Sequence, residues 1–501
     1  MKSHSSPDAP ASSITVKDKG LRKNALSFLS NIVIGVASAA PAYSLASALG
    51  PIAGSASFAT PAIMIVAFIP MLFIAVAYYW LNRVDPDCGT AFSWVTLAMG
   101  PAAGWIGGWV LLITNVIVMP SMAVIAGQYS FLLFGYNPSP IEVTAAGAAW
   151  IAGLTAICYA GIELSSRTQK VLLGTELAIL FIFAVMALLK VYAAHAPVGS
   201  MPVGLEWFNP LKVGGYDDFL KAFLVAVFIY WGWDTGVAVN EETENPQTAP
   251  GIAAVTSTFL LVAVYVLVST AAIAFAGPGA LSSNAESETG DIFALIGESV
   301  LGSWIDKLLI VAVLTSAAAA TQTTILPAAR TALSMASAGA FPARFAEIHP
   351  RYKSPGFATL IMGAVSILWF VFLRGFSKHV LDDSIEALGL CIAFYYALTG
   401  FACVAVYRGE LLKSARNFVL MGVLPALGSV TMVFLLVESC ISLSNKASGS
   451  AFGMGLPLAI ASATLVVILM FAASLAFFLQ AQGSHIRLMF IRGFRAYGAF
   501  G

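Results

Sequence analysis

The chain contains 501 residues, of which 59% are apolar and only 10% are Asp, Glu, Lys or Arg. A soluble domain has about a quarter of its residues charged, so this composition excludes a water-facing surface over most of the molecule, and with it soluble enzymes. The 25 basic residues balance the 25 acidic ones, so no nucleic acid or other polyanion is expected as a partner. The composition predicts an integral membrane protein in a lipid bilayer.

The length of the apolar runs predicts how often the chain crosses the membrane. A helix needs about 20 mostly apolar residues to span about 30 Å of hydrocarbon. Twelve runs meet this requirement, and we number them spans one to twelve: 25–49, 57–80, 104–134, 141–160, 170–192, 218–239, 251–277, 304–334, 357–373, 384–407, 418–440 and 455–480. Because most connections are short, the sequence predicts one all-α bundle of about twelve transmembrane helices.

The distribution of Lys and Arg predicts the orientation, since basic residues resist transfer out of the cytoplasm. With the N-terminus inside, 18 Lys and Arg fall on the inner side and 7 on the outer side. We therefore expect a multi-pass plasma-membrane protein with both termini in the cytoplasm. Residues 1–20, rich in Ser, Pro and Ala, are predicted to be a disordered cytoplasmic tail. Residues 481–501, with three arginines among apolar residues, are predicted to be a basic amphipathic cytoplasmic tail.

Two spans contain residues that interrupt a helix. In span one, Pro41 follows Ala37-Ser38-Ala39-Ala40. Because proline has no N–H and its ring clashes with the preceding turn, carbonyls of that turn lose their helical hydrogen-bond partners. In span six, Tyr230-Trp231-Gly232-Trp233-Asp234-Thr235-Gly236 places two glycines around an acid. An aspartate near the bilayer centre costs about 2.5 to 3.5 kcal/mol on insertion scales. We therefore expect Asp234 to face a cavity.

The positions of the two breaks predict an architecture. If spans one to five (about 25–192) and six to ten (about 218–407) form two units, each break falls in the first helix of its unit. Five is odd, so the second unit runs in the opposite sense, and matching broken helices in inverted repeats indicate a transporter's binding site. Half-helix N-termini suit an anionic group and freed carbonyls suit a cation, a pair of sites that fits an amino acid. The alternative is a simple kink at Pro41 and small-residue packing of Gly232 and Gly236.

Three motifs resemble the amino acid–polyamine–organocation (APC) superfamily. Residues 228–250, FIYWGWDTGVAVNEETENPQTAP, resemble its sixth-span signature. The loop after its span two is resembled by Asn82-Arg83 with Pro86, Gly89, Trp94 and Gly100-Pro101. The loop after its span eight is resembled by Pro327, Arg330, Met335-Ala336, Gly339, Pro342, Phe345, His349-Pro350 and Pro355. The resemblance covers residues 21–480. It implies a LeuT-type five-plus-five inverted repeat with two extra helices (about 418–480), and alternating-access, secondary-active transport of amino acids or related amines.

The resemblance also implies site residues. Gly232 and Asp234 match the family's glycine and acid in the broken sixth span, and Phe228 matches an aromatic gate over the substrate. The family's usual Gly-Ser-Gly in the first break is replaced here, which weakens the prediction of carboxylate binding and makes a polyamine or other organocation an alternative substrate. The predicted substrate-binding residues are Ser38, Ala39, Ala40, Phe228, Tyr230, Trp231, Gly232 and Asp234.

The coupling ion has two candidates. At the position of a fifth-span lysine in proton-coupled relatives, this chain has Glu176, which either titrates during transport or serves as a structural hydrogen-bond acceptor. Ser316 and the other hydroxyls of span eight resemble a sodium site of related transporters, or bond their own helix carbonyls. We expect H+ as the driving ion, with Na+ as the alternative, and no metal or cofactor.

Several further residues have two readings. Asn115, Gln128 and Tyr395-Tyr396 either border the substrate path or pack between helices. Glu241, Glu242 and Glu244, at the exit of span six, are either solvated or contact basic residues of other loops and help to close an inner gate.

Other classes of membrane protein fit the sequence less well. An ion channel would also use intramembrane breaks and hydroxyl-lined helices, but the sequence has no repeated filter loop. A membrane enzyme would need a histidine–acid pair or metal-ligand spacing within the spans, and the sequence has neither, so we expect a protein that is not an enzyme. The oligomeric state stays open.

Overall fold

The computed structural model describes residues 18–193, 199–284, 292–302, 307–376 and 380–445. Most of the predicted N-terminal tail, predicted span twelve and the predicted C-terminal tail lie outside these residues. The helices in chain order are α1 (Phe28–Ser38), α2 (Pro41–Ala56), α3 (Thr60–Val84), α4 (Ala91–Met99), α5 (Pro101–Leu132), α6 (Pro140–Tyr159), α7 (Ile162–Val191), α8 (Tyr216–Ile229), α9 (Thr235–Ala238), α10 (Ala249–Asn284), α11 (Ile292–Leu301), α12 (Lys307–Ser337), α13 (Gly356–Phe376), α14 (Val380–Val406), α15 (Ala415–Asn417) and α16 (Leu424–Asn445).

The described residues confirm an all-helical membrane architecture. Nine stretches among them are long and apolar enough to cross a bilayer, and the first of these, Phe28–Val84, contains predicted spans one and two. Span six is divided between α8 and α9, neither of which is long enough alone. An isolated bridge between Leu26 and Thr243 is the extent of β-pairing in the described part of the chain.

The break in span one lies where Pro41 predicts it. Helix α1 runs from Phe28 to Ser38, and its N-cap is Ser27, whose side chain accepts from the N–H of Ser30. Ala40 has φ +48° and ψ +63°, a left-handed conformation that costs an L-residue about 1 kcal/mol or more. Pro41 then begins α2, where its fixed φ suits the first helical position.

The break in span six crosses the break in span one. Helix α8 ends at Ile229, and residues 230–234 form a non-helical turn before α9. Gly232 has φ +113°, and a Cβ atom there would lie 2.6 Å from the carbonyl oxygen of Ser38. Glycine is therefore required both by the backbone conformation and by the close approach of the two unwound segments. The chain places both breaks at one point of the bundle.

The remaining helices enclose this crossing. Helix α12 packs along α5, α10 packs along α3, and α14 packs against both α5 and α16. Helix α7 begins at Ile162, earlier than the predicted start at residue 170, because its first turns carry charges that a hydropathy window rejects. We call the face at which α1 begins the N-terminal face. Lys19, the loop after α3 and the segment after α9 meet there.

Candidate substrate site

Asp234 lies in the break of span six with its carboxylate directed toward span ten. Its Oδ2 accepts a hydrogen bond from the hydroxyl of Tyr395 and its Oδ1 accepts one from Tyr396, both at 3.1 Å. The residue is 9% exposed, and no Lys, Arg or His of the described chain forms an ion pair with it. A buried carboxylate without a protein cation is costly, so this position suits a cation supplied by a ligand.

A small cavity adjoins Asp234 on the side of the N-terminal face. Its volume is about 10 Å³, close to the smallest volume that holds one water. An amino acid would need the cavity to widen, so the structure is a closed form of the site. The lining residues come from the loop after α3 and from spans three, six, eight and ten: Thr90, Leu111, Asn115, Trp231, Asp234, Thr235, Ala238, Pro327 and Tyr395.

Aromatic side chains hold the tyrosines that bind Asp234. The indole Nε1 of Trp231 donates to the Tyr395 hydroxyl at 2.5 Å. The ring of Trp233 stacks on Tyr396 with centroids 5.5 Å apart, and Tyr78 of α3 packs edge-on against both rings. Sequence reasoning missed Trp233 and Tyr78, because nothing local to their sequence shows that they face the same point as span ten.

The first break contributes one side chain and several backbone groups. The hydroxyls of Ser38 and Thr235 are 2.9 Å apart, so they link the two broken spans directly. The N–H groups of Ala39 and Ala40 donate back to α1 carbonyls, those of Val36 and Ala37. The alanines that replace the family's glycines therefore have no free N–H for a substrate in this closed form.

Glu176 of α7 places its side-chain carboxylate at the N-terminus of α2. Its Oε1 accepts from the backbone N–H of Ala42 at 2.7 Å and from the hydroxyl of Ser316 at 2.8 Å, and Ser316 in turn accepts from the N–H of Tyr43 at 3.1 Å. The Oε2 atom is buried without a partner in the described chain. A carboxylate at a helix N-terminus is favourable, so the position that would attract a substrate carboxylate already holds one from the protein.

Of the eight predicted substrate-binding residues, Trp231 and Asp234 line the cavity, and the aromatic side chains of Tyr230 and Phe228 pack elsewhere. Tyr230 is fully buried and donates its hydroxyl to the carbonyl of Met64 in α3 at 2.9 Å. The unwound turn rotates it away from span ten, against Tyr265 of α10. The ring of Phe228 lies so close to Gly389 of α14 that a Cβ there would overlap it, which closes the site on the side opposite the N-terminal face.

The hydroxyls of span eight do not converge on an open position. The side chains of Thr315, Thr321, Thr323 and Thr324 each donate to a carbonyl of their own helix, three or four residues earlier. Ser316 instead turns to another helix, where it meets Glu176. The sequence left open whether these hydroxyls form a sodium site or bond carbonyls of their own helix, and most of them bond their own helix.

Ion pairs close the N-terminal face. Arg330 of α12 binds the Glu242 carboxylate through Nε at 2.6 Å and Nη2 at 2.5 Å, with side chains only 3% and 1% exposed. Lys19 bridges Asp87 at 2.6 Å and Glu241 at 2.5 Å. The predicted contacts of Glu241 and Glu242 are thus present.

The same cluster perturbs two titratable groups outside the membrane. Burial alone would lower the pKa of Lys19, but the neighbouring Cys88, Asp87 and Glu241 outweigh it and raise that pKa. Burial raises the pKa of Asp85 to about 7, and the charge of Asp87 adds to the rise. The Lys19 ammonium is therefore held among carboxylates, and the pKa of one nearby carboxyl, that of Asp85, is close to neutral pH.

Known proteins are similar to this chain in sequence. The family model described as "Amino acid permease" matches residues 24–438. The "Branched-chain amino acid permease BcaP" of Bacillus subtilis is 23% identical over 395 residues, 75% of this chain and 79% of that protein. The "Uncharacterized transporter Rv1999c" of Mycobacterium tuberculosis is 25% identical over 433 residues, 86% of this chain and 89% of that protein. The "Polyamine transporter RMV1" of Arabidopsis thaliana is 25% identical over 328 residues, 64% of this chain and 63% of that protein.

A solved structure has the same fold. The transporter MhsT, in its complex with L-phenylalanine, superposes with a TM-score of 0.58 at 15% identity, covering 83% of this chain and all of that one. MhsT is a LeuT-fold transporter, so the predicted fold is confirmed. With a family model that matches most of its length, this chain belongs to the amino acid permease family of the APC superfamily and is a LeuT-fold secondary transporter.

Proposed function

We propose that this permease moves amino acids or related amines across the plasma membrane by proton-coupled alternating access, with Asp234 as the receptor for the substrate's ammonium group. The observation that carries this proposal is the position of Asp234, which lies in the unwound turn of span six beside a cavity, with two tyrosine hydroxyls on its oxygens and without a cationic partner in the described chain. The N-terminal face is then the cytoplasmic face, and both termini are cytoplasmic. The protein acts by transport alone, without covalent chemistry.

The proposed binding step uses the remaining acceptor capacity of Asp234. Each carboxylate oxygen has one lone-pair direction taken by a tyrosine, which leaves directions open for ammonium N–H donors. Widening the cavity requires the Trp231–Tyr395 bond to break, and an incoming ammonium group compensates for that lost hydrogen bond. Binding and rearrangement of span ten are therefore linked.

The proposed coupling step uses Glu176. The ionised carboxylate binds the N-terminus of α2, so it competes with a substrate carboxylate for the same dipole. Protonation weakens its hold on the Ala42 N–H and frees that position. A proton and an amino acid carboxylate thus favour the same state, which is the requirement for symport. Na+ has less support, because Thr315, Thr321, Thr323 and Thr324 of span eight each donate to a carbonyl of their own helix.

A second substrate class is favoured by the same contact. If Glu176 never leaves α2, the site offers one acid for a cation, Asp234, and no vacant anion position. A polyamine or other organocation would then be the substrate, and one relative carries the name polyamine transporter.

Uptake into proteoliposomes tests both proposals. The purified chain is supplied with labelled amino acids and with their decarboxylated amines, under an imposed proton gradient or an imposed sodium gradient. Proton-driven, saturable uptake of an amino acid supports the main proposal, while uptake of amines alone supports the second. Uptake driven by sodium and indifferent to protons would contradict the coupling step, and single-channel currents would contradict a carrier.

A further inference from the structure

A second pocket lies on the N-terminal face, away from Asp234, where the turn between α6 and α7 meets the loop after α12. Its volume is about 170 Å³, and it is lined by Arg22, Ala160, Gly161, Ile162, Glu163, Leu164, Arg167, Arg351 and Tyr352. Three arginines against one glutamate leave a net charge of +2 in the lining. The transport site does not use any of these residues.

The positive charge of this pocket is not neutralised by the protein. Arg22 pairs with Glu163 at 3.2 Å, which accounts for the one acid of the lining. Neither Arg167 nor Arg351 forms an ion pair within the described chain. The guanidinium of Arg351 lies 5.6 Å from the ring centroid of Tyr352, which orients it but leaves its charge intact. Two guanidinium groups are thus available to a ligand.

The first turn of α7 adds N–H donors beside these arginines. Gly161 is the N-cap and has no side chain that could accept from the turn that follows. The first N–H groups of a helix lack intrahelical acceptors and carry a partial positive charge. The pocket therefore combines guanidinium groups with backbone donors, the two kinds of donor that bind phosphate oxygens.

Hydrogen bonds fix the shape of the pocket. Ser354 donates its hydroxyl to the carbonyl of Tyr159 at 2.7 Å, and the N–H of Tyr352 donates to His349 Nδ1 at 3.2 Å. A Cβ at Gly161 would lie 3.1 Å from the Tyr352 carbonyl oxygen, so the two loops are in close contact. The pocket is a built feature of the fold, because its walls do not depend on a ligand.

The length and charge of α7 indicate that the pocket lies near the level of the lipid headgroups. Helix α7 has 30 residues and is about 45 Å long, while the hydrocarbon core is about 30 Å thick. Its charged first turns, with Glu163 and Arg167, extend beyond the core, and Leu164 on the same turn is 44% exposed, as expected for a residue that contacts lipid. A ligand in the pocket is therefore accessible from the bilayer surface and from solution.

We propose that this pocket binds a phosphate group, carried either by the headgroup of an anionic phospholipid or by inorganic phosphate. Arg167 and Arg351 bind its oxygens, and the N-terminus of α7 completes the site. The site is independent of substrate and coupling ion, so its test does not depend on the transport mechanism.

The test measures the thermal stability of the purified full-length chain in detergent. Inorganic phosphate, phosphatidylglycerol and the zwitterionic phosphatidylcholine are titrated separately. The variant Arg167→Gln/Arg351→Gln removes the proposed ligands, and both side chains are exposed, so it is expected to fold normally. The matched control Arg408→Gln/Lys413→Gln removes two exposed positive charges elsewhere. We expect saturable stabilisation of the wild type and the control, and at least a tenfold loss of apparent affinity in the pocket variant.

Each outcome of this test has a defined meaning. Stabilisation by phosphatidylglycerol but not by phosphate or phosphatidylcholine identifies a lipid site, and stabilisation by phosphate alone identifies a soluble anion site. Equal stabilisation of the pocket variant and the wild type would overturn the proposal, because the binding would then be nonspecific. The proposal would also be overturned if none of the three probes stabilised the wild-type protein.

Discussion

The buried pair of Arg330 and Glu242 offers a direct test of how the N-terminal face closes. The two side chains are 3% and 1% exposed and share two short N···O contacts, and Arg330 also donates to the carbonyl of Leu326 at 3.3 Å. Replacing Glu242 by Gln keeps the volume but leaves a buried guanidinium without its counter-charge. Removal of one partner of such a pair costs about 3 to 5 kcal/mol.

This free energy is lost only by the closed state, since opening hydrates the arginine. A loss of about 3 kcal/mol changes the ratio of closed to open molecules about a hundredfold. Cys88 reports on that ratio, because it is fully buried in the closed form and its Sγ lies 3.5 Å from the Arg330 carbonyl oxygen. In a variant that retains Cys88 as its single cysteine, we expect Glu242→Gln to accelerate labelling by a membrane-impermeant thiol reagent by one to two orders of magnitude.

Two further variants make this experiment decisive. Glu244→Gln is the matched control, because Glu244 is exposed and nearby but has no ion pair in the described structure. Its labelling rate should equal that of the parent. The double variant Arg330→Met/Glu242→Gln removes both charges and should restore slow labelling. A Glu242→Gln protein that is labelled no faster than the Glu244→Gln protein would refute the idea that this pair holds the face closed.

Three other predictions address the remaining charged groups. Asp234→Asn should abolish saturable uptake while the melting temperature in detergent stays close to that of the wild type, since Asn keeps the volume and an acceptor for a tyrosine; wild-type uptake by this variant would remove Asp234 from the site. Glu176→Gln should make uptake insensitive to an imposed proton gradient, measured across a pH series, and an unchanged pH profile would exclude Glu176 from coupling. The raised pKa of Asp85, about 7 against an ordinary value of 3.8, means that the closed form favours its protonated state, so closure should weaken as pH rises from the ordinary carboxyl range to about 7 and change no further above that. Labelling of Cys88, corrected for thiol ionisation, should accelerate over that range and become independent of pH in Asp85→Asn; an equal pH response in both proteins would show that another group titrates.

The sequence predicts those features of the fold that depend on local chemistry. Pro41 has no N–H wherever it lies, and Gly232 tolerates a positive φ that other residues avoid, so both breaks are visible in the sequence and present in the structure. Helix α7 begins at Ile162, before the apolar run at residue 170, because an apolar run does not distinguish a charged loop from a helix that extends beyond the membrane. Helix α4 was not anticipated for a related reason, since it is too short to span a bilayer.

The partners of the site residues depend on tertiary structure and could not be predicted. Glu176 meets Ala42 and Ser316, which are 134 and 140 residues away in sequence, so its role as a cap for α2 is visible only after folding. Tyr230 shows a different limitation. It lies within the signature of span six, but the direction of a side chain in an unwound turn depends on each φ and ψ of that turn, and here it points to Met64.

In the proposed mechanism, Asp234 and Glu176 act on different spans. Asp234 is attached to the tyrosines of span ten, so a ligand that binds it acts on the helix that closes the cavity. Glu176 joins span five to α2 and span eight, so a change in its charge acts on the half-helix that must move when the breaks separate. Ser38 and Thr235 connect the two broken spans between these acids. Under this proposal, a cation at Asp234 and a proton at Glu176 would act on the same crossing of spans one and six from different sides. Neither alone would weaken both the contact with span ten and the contact with α2.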